Sequence, residues 1–297
     1  MPAAPRAAFP AMLIGSAALA FGPWLVRLAD VSPVGSAFWR MALAVPPLLL
    51  LARLTEGRAP RLAKGPALGL AALAGLCFAA DLAVWHLGIV RTSLANATLL
   101  ANAATFLLPL YGVVMLRQRL TRPALAALAC AGLGVALLVG RSAELSPRHL
   151  AGDLMCLAAA VFYTAYLIVI ERLRGTTAAM SLLCLSTLFT ALALLPLALL
   201  LPGPLWPQNW TPLLALALGS QVLGQGLIVY AVAHLRPIAV GLALLIQPAI
   251  SATIGALRFG EIPGPLEITG ALLVVAALLL VRLPGGKDAR MPPASEA

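Results

Sequence analysis

Charged side chains are scarce in this 297-residue chain: Asp, Glu, Lys and Arg make up 10% of it, against about one quarter in a soluble domain. With 62% hydrophobic residues and a mean hydropathy of +0.99, there is too little polar surface to clothe a water-soluble core, which excludes a soluble globular class. Aromatic residues reach only 6%, and no RNA- or DNA-binding signature is present. The net charge of +10 and the pI near 10.5 come from short basic clusters between apolar runs, so they read as topology signals and exclude nucleic acid as a partner. The four cysteines, Cys77, Cys130, Cys156 and Cys184, lie in apolar runs without CxxC spacing, which excludes a zinc knuckle or redox pair and leaves packing. The three histidines, His86, His149 and His234, are far apart, and HExxH, Walker and aspartate-rich motifs are missing. No metal or cofactor is therefore expected, and a self-contained ATP-driven pump is excluded.

What the chain has is apolar continuity. Crossing a hydrocarbon core of about 30 Å takes roughly 20 helical residues, and backbone groups in lipid are satisfied only in helices or closed barrels. The alternation of barrel strands is absent. The runs predict an all-α integral membrane fold of ten transmembrane helices: 9–29, 34–53, 67–87, 94–116, 123–140, 152–170, 179–201, 212–233, 238–257 and 266–282. Pro/Gly clusters punctuate them at Gly65-Pro66, Pro202-Gly203-Pro204 and Pro263-Gly264-Pro265. Arg6 followed by an apolar run to Val26 resembles a signal peptide, but the run's length and the spans after it favour an uncleaved first helix.

Placing the N-terminus, alternate loops and C-terminus on one side gathers fourteen of the 20 Lys and Arg there, among them Arg6, Arg53, Arg58, Arg117, Arg172 and Arg282. The opposite side holds Arg27, Arg91, Arg141, Arg148 and Arg258, while Arg40 falls inside the second span. The bias predicts a multi-pass protein of the inner (cytoplasmic) membrane with both termini cytoplasmic.

Shifting the chain on itself by about 143 residues superposes Thr92–Gln118 on Leu235–Glu261. The expected organisation is a five-helix repeat over 1–141, a second over 149–283, and a cytoplasmic, disordered tail over 284–297. Five is odd, so the second repeat inserts upside down, an arrangement used by alternating-access transporters.

Three stretches then carry a family resemblance. Phe38-Trp39-Arg40-Met41-Ala42-Leu43 resembles an arginine-bearing second helix, Thr92 to Leu100 resembles the start of a fourth helix, and Phe259-Gly260-Glu261 resembles a Gly-Glu step before a repeat's last helix. Together, in this order, they resemble the EamA-type ten-helix members of the drug/metabolite transporter superfamily. In the first half the Gly-Glu step reads Arg117-Gln118-Arg119 and lacks the acid. The resemblance implies transport of a small molecule, and such fold-level likeness leaves the cargo open.

An ionisable group at mid-membrane costs at least about 2.5 kcal/mol, so each one asks for a partner, a wet cavity or a role. Arg40 and Asp81 fall about 5 and 6 Å to the same side of their helix centres at 1.5 Å per residue and could meet, either as cargo ligands with Asp81 taking a proton or as a fixed ion pair. Trp85 shares the Asp81 face, as a cargo contact or as an interface anchor, whereas His86 points about 140° away; His86 is a candidate proton carrier or an interfacial or hydrogen-bonded packing residue. Thr98, Asn102 and Thr105 make a polar stripe, as a substrate path or as helix-to-helix hydrogen bonds. Gln221, Gln225 and Gln247, the last beside the helix-breaking Pro248, suit a midplane cargo site or a packed kink. Tyr163 lies at similar depth, for stacking or for packing. Glu261, three residues from Arg258, is expected to form a surface ion pair with it or to serve as a gate latch, and Gly132 and Gly134 to serve close helix packing or a dimer contact, with a monomer or homodimer both open.

The substrate-binding expectation is therefore Arg40, Asp81, Trp85, Asn102, Tyr163, Gln221, Gln225 and Gln247, with Asp81 and His86 for coupling to a proton. The reading is a secondary transporter, an exporter of an amino acid or similar zwitterion, by alternating access. A vitamin, another aromatic metabolite or a drug is the alternative cargo. A membrane enzyme or scaffold is the rival class, and the chain offers no triad, paired acids or metal set for the former.

Overall fold

Lipid offers backbone groups no partners, so apolar runs close their own hydrogen bonds as helices. The computed structural model describes residues 7–57, 66–116, 122–173, 177–232, 234–235, 243–244 and 246–280, and all regular structure among them is helical. In chain order the helices are α1 Ala8–Ala20, α2 Gly22–Leu28, α3 Pro33–Glu56, α4 Pro66–Ile89, α5 Leu94–Ala101, α6 Ala104–Leu116 and α7 Arg122–Leu145. They continue as α8 Pro147–Leu173, α9 Ala179–Leu200, α10 Thr211–Ala215, a π-helical segment Leu216–Gly224, α11 Gln225–Val232, α12 Ile246–Phe259 and α13 Pro265–Leu280.

Local chemistry sets several ends. Ser32 caps α3 by accepting from Gly35 N at 3.0 Å, Pro33 stands where its missing N–H is not needed, and Gly57 closes the helix with φ 68°. Ser93 caps α5 in the same way through Asn96 N at 3.1 Å.

The expected architecture, ten spans in two inverted sets of five, does not hold among the described residues. Seven helical segments are long and apolar enough to cross a membrane: Ala8–Leu28, Pro33–Glu56, Ala67–Ile89, Leu125–Leu145, Pro147–Leu173, Ala179–Leu200 and Thr211–Ala231. The run expected as one helix over 94–116 breaks at Asn102. There Thr98 Oγ1 donates to Leu94 O and Asn102 Nδ2 donates to Thr98 O, so side chains compete for the helix's carbonyls, and the backbone tightens through Ala103 N to Leu100 O and Thr105 N to Asn102 O. In place of 238–257 the described helix is α12, 14 residues with Pro248 in its first turn, and in place of 266–282 it is α13, 16 residues. The expected tail over 284–297 and Gln118 lie outside the described residues.

Helix α4 packs against α8 and α9, α3 against α9 and the π-helical segment, α7 against α13, and α1 against α11 and α12. One apolar cluster joins Met41 of α3, Phe78 and Leu82 of α4, Ile170 of α8 and Leu194 of α9. A second joins Val26, Ile89, Leu100, Leu138, Leu216 and Val274. Lipid removes the hydrophobic drive for such contacts, so close van der Waals fit must hold them. Gly134 shows it: a Cβ there would sit 2.7 Å from Gly270 O of α13. Gly132, two residues earlier, has open space instead. Leu50, Leu200 and Leu257 are left on the outside, which suits a lipid solvent.

Candidate functional site

Arg40 lies in the third turn of α3 with only 2% of its surface exposed. Its Nη2 donates to Gln221 Oε1 at 3.3 Å, and Gln221 Nε2 donates onward to Thr187 Oγ1 of α9 at 3.1 Å. Its Nε and Nη1 are buried and donate to no acceptor among the described residues. The guanidinium carbon stands 5.9 Å from the Trp85 ring centroid, a cation–π distance.

Asp81, one turn from Trp85 on α4, feels the Arg40 charge without forming a contact pair: no carboxylate oxygen comes within 4.0 Å of a guanidinium nitrogen. Arg40 is turned instead toward Gln221 and Trp85. His86 is completely buried, with Nδ1 2.8 Å from Ser36 Oγ of α3 and Nε2 without a partner among the described residues. Trp85 also ties α4 to α5, donating from Nε1 to Ala97 O at 3.1 Å. Tyr163 of α8 is electrostatically coupled to Arg40 and stacks near Tyr166, their centroids 5.7 Å apart.

The structure thus brings together Arg40, Asp81, Trp85, His86, Tyr163 and Gln221, from α3, α4, α8 and the π-helical segment. A π-helical turn is rare and frequents functional sites; here it carries Gln221 to Arg40. Asn102 stands at the α5–α6 break, its amide spent on Thr98 O. Gln225 and Gln247 are partly exposed, in α11 and the first turn of α12, and neither hydrogen-bonds to the Arg40 group.

At one end of the molecule, Arg27 of α2 fastens three segments. Its Nε donates to Ile89 O at 3.0 Å, its Nη2 to Thr92 O, and its Nη1 pairs with Glu261. Glu261 Oε2 meanwhile accepts from Leu94 N, the first residue of α5, at 2.8 Å, where the helix dipole favours a carboxylate. The expected Glu261–Arg258 pair is corrected by this geometry. The i, i+3 rule presumes a continuing helix, but α12 ends at Phe259, and Gly260, at φ 67°, turns Glu261 back. Arg258 lies over the Trp24 ring, 5.7 Å from its centroid.

Over residues 7–140 and again over 150–283, the chain matches the model of the EamA-like transporter family. The chain belongs to that family. It is a polytopic membrane protein and a small-molecule transporter. No curated protein matches it. A solved crystal structure of a protein shares its fold with a TM-score of 0.63 at 19% identity, covering 96% of this chain and 97% of that one. At that identity the likeness speaks for the fold alone.

The EamA-like chain also holds a polar group that sequence reasoning missed. Asp153, fully buried near the start of α8, accepts from Thr92 Oγ1 and from Asn96 Nδ2, the latter at 3.1 Å to Oδ2. Asn96 Nδ2 also lies 3.3 Å from Ser142 Oγ, so α5, α7 and α8 meet on one carboxylate. The signal for it was weak: Asp153 follows Pro147-Arg148-His149 and reads as a helix-end residue. A second carboxylate, Glu56 at the end of α3, accepts from Met180 N at 2.9 Å and Ser181 N at 3.0 Å, capping α9.

Proposed function

We propose that the chain is a secondary transporter that exports an amino acid or similar zwitterion by alternating access. The observation that carries this reading is Arg40, a buried guanidinium with two nitrogens that donate to no acceptor among the described residues. A buried donor left unsatisfied costs about 1–3 kcal/mol, a cost that a cargo carboxylate relieves with charge-assisted bonds. Asp81 stands close enough to feel Arg40 and far enough not to neutralise it by contact, so it is suited to the ammonium end. Trp85 and Tyr163 supply faces for the same cation.

In this reading the Arg27–Glu261 knot closes one side of the molecule, and its release opens that side while the other closes. Asp81 and His86 are the coupling residues for a proton. The chain lies in the cytoplasmic membrane with both termini inside, so the Arg27 end faces outward. Its two family-matched stretches, 7–140 and 150–283, are the moving units.

The test is reconstitution into liposomes and a screen of radiolabelled amino acids for flux, with and without an imposed pH gradient. Saturable flux of an amino acid, accelerated by the gradient, is expected. Correctly folded protein with no flux across a broad panel overturns the reading.

A further inference from the structure

Beside the knot a recess of about 540 Å³ opens to the outside, lined in part by Arg27, Arg91, Arg148, His149 and Glu261. Three arginines face one carboxylate. Arg27 is committed through all three of its nitrogens, to two carbonyls and Glu261. Arg91 and Arg148 are not: Arg91 Nη1 donates to Leu87 O, and Arg148 Nη2 donates to Val90 O at 3.0 Å. Each guanidinium has five N–H donors, so one tether holds each group in place and leaves donors to spare.

Two features describe the surroundings of these arginines. On the proposed orientation, they belong to the small basic minority on the side of the membrane poor in Lys and Arg. They also lie against helix dipoles. Arg148 is in the first turn of α8, where the positive helix end attracts an anion, whereas Arg91, three residues before α5, bonds a last-turn carbonyl of α4, whose negative end suits its charge. The rest of that minority is accounted for: Arg141 pairs with Glu144, and Arg258 lies over Trp24. An anion in the recess would take charge-assisted bonds from the spare donors of both arginines and lie at the positive end of α8.

We propose that this recess is a binding site for a carboxylate or phosphate group, with Arg91 and Arg148 as its ligands and the Arg27–Glu261 pair as its wall. The group belongs either to a soluble metabolite or to an anionic lipid headgroup, which share that chemistry. For a soluble metabolite, the recess is a station at the Arg27 end at which cargo is released or taken up; that role rests on the transport reading, whereas binding does not.

The experiment follows the melting of the purified full chain in an uncharged detergent as inorganic phosphate replaces chloride at constant ionic strength. A saturable rise in melting temperature is expected. Half-saturation should move at least tenfold higher in Arg91→Gln/Arg148→Gln and stay in place in Arg141→Gln. If the double variant does not elute as a single folded species, Arg91→Lys/Arg148→Lys takes its part, with an expected two- to fivefold weakening because the charges remain and the planar fork is lost.

A second arm uses phosphatidylcholine nanodiscs with and without phosphatidylglycerol. If the wild type responds to phosphate only in the phosphatidylcholine discs, and the double variant in neither, the headgroup occupies the recess and the site stands with lipid as its ligand. Equal phosphate titrations in wild type and variants, or no response to phosphate or to phosphatidylglycerol, overturn the proposal. Arginine-dependent binding without flux would sink the transport reading and leave the recess. Flux without such binding would do the reverse.

Discussion

Arg27 and Glu261 stand 234 positions apart in the chain and form an ion pair, in which the arginine also holds the α4–α5 turn and the glutamate caps α5. Few side chains here join so many segments. We propose this knot as the gate at that end, because breaking it frees α2, α5 and the α12–α13 turn together.

Glu261→Ala removes the ion pair and the cap on Leu94 N, and an N-terminal cap is worth about 1 kcal/mol. The variant should lose about 1–2 kcal/mol in detergent melting, whereas Glu261→Gln keeps an acceptor and should lose about half as much. A cysteine placed at Thr92 in a cysteine-free background should be labelled faster by a water-soluble maleimide in Glu261→Ala than with Glu261 intact. Equal labelling rates would show that the pair closes nothing.

Asp153 is the shared acceptor of Thr92 and Asn96. In Asp153→Asn an amide N–H₂ replaces one accepting oxygen and faces donors, so the expected loss is about 1–3 kcal/mol. Thermal melting of the purified variant measures it; an unchanged midpoint would mean that the three helices are held by packing alone.

The two glycines of α7 should behave oppositely. Gly134→Ala drives a methyl against Gly270 O and the Val274 side chain, and overpacking costs about 1–3 kcal/mol. Gly132→Ala meets open space and should be neutral or slightly stabilising in its helix. Melting temperatures of the two variants, compared side by side, check the α7–α13 contact.

Much of the central group was legible because an ionisable or amide side chain in an apolar run is costly wherever it points. Arg40, Asp81 and Gln221 stand out on that ground alone. Azimuth was less legible than depth. Gln225 and Gln247 lie at comparable distances along their runs, but nothing in a single sequence says which face of a helix meets Arg40. Apolar continuity also over-reads length: 94–116 is uniformly lipid-compatible, yet Thr98 and Asn102 turn its carbonyls to their own side chains and end α5. Glu261 shows how a local rule fails once one glycine reverses the chain. Asp153 was hidden by its place at the start of the expected 152–170 helix, close to Arg148 and His149, where an acid reads as a solvated helix end.

The most direct measurement of the central claim is counterflow in proteoliposomes, comparing an amino acid with the amine that lacks its carboxylate, in wild type and Arg40→Gln. If Arg40 binds the cargo carboxylate, wild type should favour the amino acid by at least tenfold, and Arg40→Gln should lose that preference mainly by losing the amino-acid flux. Equal transport of acid and amine by wild type, or an unaltered preference in Arg40→Gln, would contradict it.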